Sequence, residues 1–223
     1  MSTLFPLRLS LQVAVCATIV AVIVGVPISY VLARKRFRGR GVLDVLVTLP
    51  MVLPPTVVGY LLILVIGNNG VLGRAYEAVT GDELGVMFTW YAAVIASFIV
   101  SLPLLVKTAT SAMESVDQSL INASYTLGRS EFYTLFHVVI PLSLRGIIAG
   151  ATLAFARAMG EFGATLMVAG NIPGRTTTMP LTIYNETIYG SWTNALWMVL
   201  AFVGLAAVII YVSNRLSRKS LSL

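Results

Sequence analysis

Charge, cysteine and histidine are all scarce in this chain of 223 residues, and each scarcity excludes a class of protein. Only 11% of the residues are charged while 57% are hydrophobic, and the mean hydropathy is +0.89. Soluble domains carry roughly a quarter charged residues. The chain therefore reads as an integral membrane protein, with too few polar residues left for a second folded domain. One cysteine, Cys16, excludes an internal disulfide, and one histidine, His137, cannot make a zinc site. The lone histidine also leaves no nucleophile–base pair to assemble. No Gly-x-x-x-x-Gly-Lys-Ser/Thr loop is present, so the chain does not hydrolyse ATP itself. No ten-residue alternating pattern suggests a β-barrel, and there is no tandem repeat or low-complexity tract.

Apolar runs are what the chain does have. Crossing a hydrocarbon core of about 30 Å takes roughly 20 apolar helical residues. Five stretches suffice: 9–33, 42–66, 86–106, 142–164 and 195–212. The expected fold is all-α, one transmembrane domain over residues 1–223 with five membrane helices. Lys and Arg favour cytoplasmic loops. Arg34, Lys35, Arg36, Arg38 and Arg40 follow the first stretch, Lys107, Arg129 and Arg145 flank the central loop, and Arg215, Arg218 and Lys219 follow the last. The other face has Arg8, Arg74 and Arg175, diluted by Glu77, Asp82, Glu83 and Glu186. This predicts the N-terminus outside and the C-terminus inside. The basic cluster comes after the first apolar run rather than before it, so that run reads as a retained anchor, not a cleaved signal. The net charge of +6 is accounted for by the loop bias and calls for no nucleic acid.

The second stretch carries Leu49-Pro50-Met51-Val52-Leu53-Pro54-Pro55-Thr56 and then Gly59. Proline lacks the N–H a helix needs and clashes one turn back, so this span must kink or break. Such backbone survives at membrane depth only against protein or a watery cavity. Two readings stand: a packing kink, or a conduit wall that bends as it opens. Residues 67–85 read as an external loop, residues 171–180 as a turn-rich second one, and 179–189 as a short external or re-entrant helix.

The central loop, about 114–141, has its own grammar. Ser115-Val116-Asp117-Gln118 fits a capping box, with Asp117 in the first turn of a helix of about 12 residues or roughly 18 Å. Val116, Leu120, Ala123, Ser124 and Leu127 share one predicted face. Gly128 is placed to end the helix in a left-handed cap. Ser130 begins a second helix, which Pro141 separates from the fourth span. The element is either a docking handle for a soluble partner or an interfacial amphipathic helix without one. In the fourth span, Arg157 and Glu161 stand at i and i+4 and can pair. Charges at that depth face a protein interior or aqueous path, which leaves a structural pair and a gate near the outer end of a pathway both open. Gly160 and Gly163 add close approach or bending. Cys16 reads as packing and His137 as a satisfied interfacial side chain.

These pieces resemble the molybdate permeases of ATP-binding-cassette importers, over nearly the whole chain. The matching segments are 27–36 (PISYVLARKR), 49–61 (LPMVLPPTVVGYL), the central loop, 154–163 (AFARAMGEFG) and 169–180 (AGNIPGRTTTMP). The central loop marks the wider importer class; the last two segments, with the proline-rich second span, narrow it to tetrahedral oxyanions and favour molybdate over sulfate or tungstate. The resemblance implies a type I importer permease-like fold in a prokaryotic inner membrane. It also implies a second copy of the chain, two cytoplasmic ATPase subunits that use ATP and Mg, an external solute-binding protein, and no cofactor held by this chain. Asn122, Ala123, Ser124, Leu127, Gly128, Ile140 and Pro141 would couple to the ATPase, and Pro54, Pro55, Gly59, Arg157, Gly160, Glu161 and Gly163 would line or gate the path. One departure is Asn122-Ala123-Ser124, where the family loop usually opens with an acidic residue before two alanines. A passive channel or membrane scaffold is the alternative of a different class, and it would need no docking helix.

Overall fold

The structure is a computed structural model that describes residues 4–219. The side chains of Arg218 and Lys219, counted above in the basic tail, lie outside the described residues. Every regular element among the described residues is helical. The longest, α1 (Leu4–Arg34), is followed by α2 (Arg40–Val52) and α3 (Pro55–Ile66). The second stretch breaks as expected, and consecutive prolines explain where. A residue preceding proline is pushed out of the helical region, and both Leu53 (ψ 143°) and Pro54 (ψ 137°) are extended because Pro54 and Pro55 follow them. Pro55 then opens α3, where its missing N–H is not needed.

Residues 67–85 are not simply a loop: α4 (Val71–Thr80) follows a tight turn at Gly67–Gly70, and the second stretch long and apolar enough to cross a membrane is Pro55–Thr80 rather than 42–66. The third span starts later and runs longer than expected, as α5 (Trp90–Glu114), capped by Thr89, whose hydroxyl accepts from the Ala92 N–H at 3.3 Å. Its last turns extend past the apolar run because they are held by polar partners. Lys107 pairs with Asp44 at 2.6 Å and Glu114 with Arg40 at 2.9 Å, tying α2 to α5. Two short helices, α6 (Gln118–Thr126) and α7 (Glu131–Thr134), lead into α8 (Ile140–Met159).

Pro141 does not separate α7 from the fourth span. One π-turn, Leu135–Val139, joins them into a rod, Glu131–Met159. The proline ring at 141 would clash with the carbonyl of residue 137 in a regular α-turn. Widening the turn, with Ile140 N–H reaching Leu135 O, carries the helix past it. Beyond α8 come α9 (Gly163–Ala169), α10 (Met179–Ile188) and α11 (Trp192–Lys219). The fourth span therefore ends at Met159, not 164, and the fifth begins at Trp192.

α1, α5 and α8 form the centre of the bundle. Water-driven burial contributes little between helices in lipid, where small side chains instead let backbones approach. Small residues recur every fourth position on α1 (Ala17, Ala21, Gly25, Ser29) and on α8 (Gly146, Gly150, Ala154, Ala158). At Gly146 a Cβ would stand 2.1 Å from Ala112 Cβ, so α5 and α8 cannot pack this closely with any larger residue there. α2, the outward side of α3 and α11 leave large apolar side chains exposed, as Val45, Leu46, Tyr60, Leu64, Trp197 and Leu200 show. In a membrane protein these face lipid or another chain rather than water.

The segment between α9 and α10 is more ordered than turn-rich sequence suggests. Thr176, Thr177 and Thr178 are buried. Ile172 N–H donates to Thr176 Oγ1 at 3.0 Å, Thr177 Oγ1 donates to Asn171 Oδ1 at 2.9 Å, and Asn171 Nδ2 donates to Asn185 Oδ1 at 2.8 Å. The buried N–H of Met179 donates to Ser10 Oγ at 2.7 Å, docking the start of α10 on α1.

Candidate functional site

The central loop folds into a hairpin of α6 and α7 at the end of the bundle that carries Arg34 and Lys35. Its N-cap is Asp117 rather than the expected Ser115: the carboxylate accepts from Ser119 N–H at 2.8 Å. That backbone hydrogen bond holds the Asp117 pKa below its ordinary value. Ser115 instead donates to Ala112 O at the end of α5, so no capping box forms and α6 has nine residues, not twelve.

The C-cap is as expected. Gly128 has φ +72°, its N–H reaches Tyr125 O at 2.9 Å, and Arg129 N–H reaches Ser124 O at 3.1 Å. Together these are the paired bonds of a Schellman ending. Ser130 caps α7 by accepting from Tyr133 N–H at 3.3 Å.

The predicted common face of α6 divides in two. Val116 and Ser124 are buried with Ile121, and Ser124 shares a 2.8 Å hydroxyl–hydroxyl hydrogen bond with buried Thr134, which locks α6 to α7. Leu120 is 48% exposed and Leu127 78%; Asn122 and Ala123 are exposed beside them. Phe132 and Phe136, on α7 and the π-turn, are also exposed. Arg129 lies over the Tyr133 ring at 4.6 Å, and that ring stacks on His137 at 4.0 Å. His137 Nδ1 is 3.1 Å from Tyr133 O, so the single histidine is locally satisfied. Ile140 and Pro141 stand at the head of α8 rather than on α6. Ile140 packs into the cluster of Tyr30, Met113, Ile121 and Val139.

Sequence reasoning misses how the hairpin is held, because it marks Arg34 only as a topological charge. Its guanidinium donates to Met113 O, to Val116 O and, at 3.1 Å, to Gln118 Oε1. Lys35 lies 2.6 Å from the Glu131 carboxylate, and Tyr30 OH donates to the same group at 3.0 Å. An exposed basic cluster next to a loop with few acidic residues is the signal that could have found this.

The second set of candidates gathers at the opposite half of α8. Arg157 Nη1 is 2.7 Å from Glu161 Oε2. The pair does not lie within one continuous helix, because α8 ends at Met159 and Gly160 caps it. Glu161 sits in the break, 2% exposed, and its other oxygen accepts from Ala164 N–H at 2.8 Å in the first turn of α9. One carboxylate thus joins an arginine at the end of one helix to the start of the next. Arg157 is a third exposed.

Pro55, Gly59 and Gly163 meet where α3 packs on α9. A Cβ at Gly163 would approach Pro55 Cβ at 3.0 Å, and one at Gly59 would reach Met167 Cβ at 2.6 Å and Ala164 Cα at 3.1 Å. Pro54 caps α3 directly before this contact. Gly160 is not part of it; it is exposed, and a Cβ there would have only Ala156 O within 4 Å. The broken second span and the Arg157–Glu161 break therefore belong to one neighbourhood, through α3 and α9. No cluster of three potential metal ligands occurs among the described residues.

Residues 25–222 match the family described as binding-protein-dependent transport system inner membrane component. The chain is 40% identical over 204 residues to the putative molybdenum transport system permease protein YvgM of Bacillus subtilis, covering 89% of this chain and 88% of that one. It is 39% identical over 216 residues to the molybdenum transport system permease protein ModB of Escherichia coli K12, covering 95% and 92%. Among solved structures, an inward-facing MetNI methionine ABC transporter matches with TM-score 0.76 at 15% identity, covering 99% of each chain. A bacterial alginate ABC transporter in complex with an alginate-bound periplasmic protein matches with TM-score 0.79 at 14% identity, covering 97% of this chain and 78% of that one. At such identities these two share the fold alone. A bundle with five membrane-capable apolar helices among the described residues and a capped hairpin, matched along nearly all its length, places the chain in the family of binding-protein-dependent transport system inner membrane components, as a transport subunit and not an enzyme.

Proposed function

We propose that this chain is the membrane permease of an ATP-driven molybdate importer, working as a pair of copies with two cytoplasmic ATPase subunits and an external binding protein. The N-terminus faces outward and the α6–α7 hairpin faces the cytoplasm, in keeping with the basic residues around it. The observation that carries the coupling role is the hairpin itself. Leu120 and Leu127 are exposed on a capped helix that precedes the fourth span, and Phe132 and Phe136 are exposed beside it where the rod begins. Apolar groups on such an element gain by docking on a protein partner. Molybdate as cargo rests on the relatives named above.

The ATPase uses ATP and Mg; this chain supplies the path. Nucleotide binding drives the cycle only to the extent that the ATPase binds the two permease states with different free energy. The α8–α9 break and the glycine-dependent α3–α9 contact are the elements suited to rearrange between such states, with Arg157 and Glu161 beside the path.

Reconstitution of the chain with its ATPase and binding protein in vesicles tests the reading. Molybdate uptake should require both ATP on the ATPase side and binding protein on the other. Calorimetric titration of the binding protein with molybdate, tungstate and sulfate identifies the cargo. A preference for sulfate would reassign it, and flux without ATP would replace the importer by a passive channel.

A further inference from the structure

The hairpin is joined to the membrane bundle covalently at both ends and by polar contacts to α1. Its first covalent link is the short turn 115–117 from α5 into α6, and its second runs through α7 and the rod into α8. That second link contains the π-turn Leu135–Val139 and Pro141, a locally widened stretch of helix. On α1, Arg34 holds Met113 O in the last turn of α5, Val116 O in the link to α6, and Gln118, the first residue of α6. Lys35 and Tyr30 both hold Glu131, the first residue of α7. Tyr30 and Arg34 are four residues apart, so they share a face of α1.

Between that face and α6 lies a cleft of about 140 Å³, bounded by Tyr30, Arg34, Gln118, Ile121 and Tyr125. Beside the apolar cluster of Tyr30, Val116, Ile121 and Val139, polar side chains bridge this cleft. At the opposite end of the same helix, Ser10 accepts the buried Met179 N–H and so holds the start of α10 and the threonine-rich segment before it. α1 is 31 residues long and stays helical between these two grips, passing through Pro27 three residues before Tyr30.

We propose that α1 is a lever that carries the displacement of the α6–α7 hairpin across the membrane to α10, gripped at one end by Tyr30, Arg34 and Lys35. The inference rests on the hairpin being the ATPase-facing element. Tyr30, Arg34 and Lys35 are then positioning residues for transport: they touch neither nucleotide nor cargo. Their loss uncouples hydrolysis from movement without preventing docking, because the exposed side chains of α6 remain in place.

The test uses the whole transporter in vesicles and measures ions imported per ATP hydrolysed, together with ATPase co-purification and unfolding temperature. Lys35→Glu and Glu131→Lys should each lower the ratio by about two- to thirty-fold, the range expected for residues along a coupling route, while co-purification and unfolding temperature stay near the unmodified values. Tyr30→Phe, which removes one hydrogen bond and no charge, should have a smaller effect in the same direction. The exchanged pair Lys35→Glu/Glu131→Lys should recover most of the ratio. An unchanged ratio in the single variants overturns the proposal. So does a loss that the exchange fails to restore, or one matched by loss of bound ATPase. Absence of ATP-driven uptake by the unmodified transporter is a separate outcome, which overturns the transport reading and this inference with it.

Discussion

Removing Arg157 should destabilise the protein more than removing Glu161, although the two form one ion pair. The reason lies in their unequal burial: the Glu161 side chain is 1% exposed and that of Arg157 is 32%. Arg157→Gln strands a buried carboxylate whose other partner is the Ala164 N–H at 2.8 Å. Breaking a buried pair from one side costs about 3–5 kcal/mol, and the surviving N–H bond puts this case near the lower end. Glu161→Gln strands an arginine that turns toward solvent or headgroups, and its amide oxygen still accepts from Ala164. The pair is then lost at roughly the worth of a partly exposed bridge, about 1 kcal/mol. The double variant strands no charge and should resemble Glu161→Gln, so the two single effects should exceed it by about 3 kcal/mol when added. Denaturant or thermal unfolding of the purified chain in detergent measures all four proteins, and uptake in vesicles is scored beside it. Equal or reversed single effects, or simple additivity, would refute the reasoning. If uptake recovers with stability in the double variant, the pair serves the structure of the α8–α9 break. If the double variant is stable yet fails to transport, Arg157 itself acts on the anion in transit.

Particular contacts give three further expected outcomes. Gly128→Val meets open space but holds a β-branched residue at φ +72°, a strain of about 1–2 kcal/mol; ATPase co-purification should fall, and fall less for Gly128→Asn, which tolerates the left-handed cap. Equal retention in both would leave the hairpin a mere interfacial element. Gly59→Ala places a Cβ 2.6 Å from Met167 Cβ, and overpacking of about 1–3 kcal/mol should outweigh the helix-propensity gain of about 1 kcal/mol; Gly41→Ala, with nothing within 4 Å, should be neutral or stabilising by unfolding temperature. For orientation, in a Cys16→Ser background, exposed Asn69→Cys should react with an impermeant thiol reagent in intact cells and exposed Arg38→Cys should not; the reverse would invert the topology.

The spans are legible in the sequence because length and apolarity decide what can cross a bilayer, and that requirement hardly depends on tertiary contacts. The break at Leu53–Pro54 is legible for the same reason: proline acts on its neighbours locally. Helix ends are less so. α5 runs on to Glu114 because Lys107 and Glu114 find Asp44 and Arg40 on α2, partners 63 and 74 residues away in the chain. The centre of the bundle is written in the sequence in a form that hydropathy does not read. The four-residue spacing of Ala17, Ala21, Gly25 and Ser29 against Gly146, Gly150, Ala154 and Ala158 marks the packing faces of α1 and α8, and hydropathy alone treats those residues as ordinary apolar filler.

The candidate sites show the same division between local and distant causes. Gly128 and Ser130 act as caps where the sequence places them, because caps are settled within one turn of helix. Ser115 does not, because Asp117, two residues on, offers a carboxylate acceptor to the same orphan N–H groups and leaves the serine to close α5. Pro141 has the local signature of a helix break, yet a single π-turn lets the rod pass it. The spacing of Arg157 and Glu161 suggests a pair on one helix, and the pair does form. Its consequence differs, because the helix ends between the two residues and the carboxylate also holds the first turn of α9. The carboxylate is buried at the break, where Gly160 N–H and Glu161 N–H still bond back to Ala156 O and Ala158 O before the chain leaves the helical ladder. One side chain, Glu161, therefore holds both helix ends, so that a change in its pairing acts on α8 and α9 together.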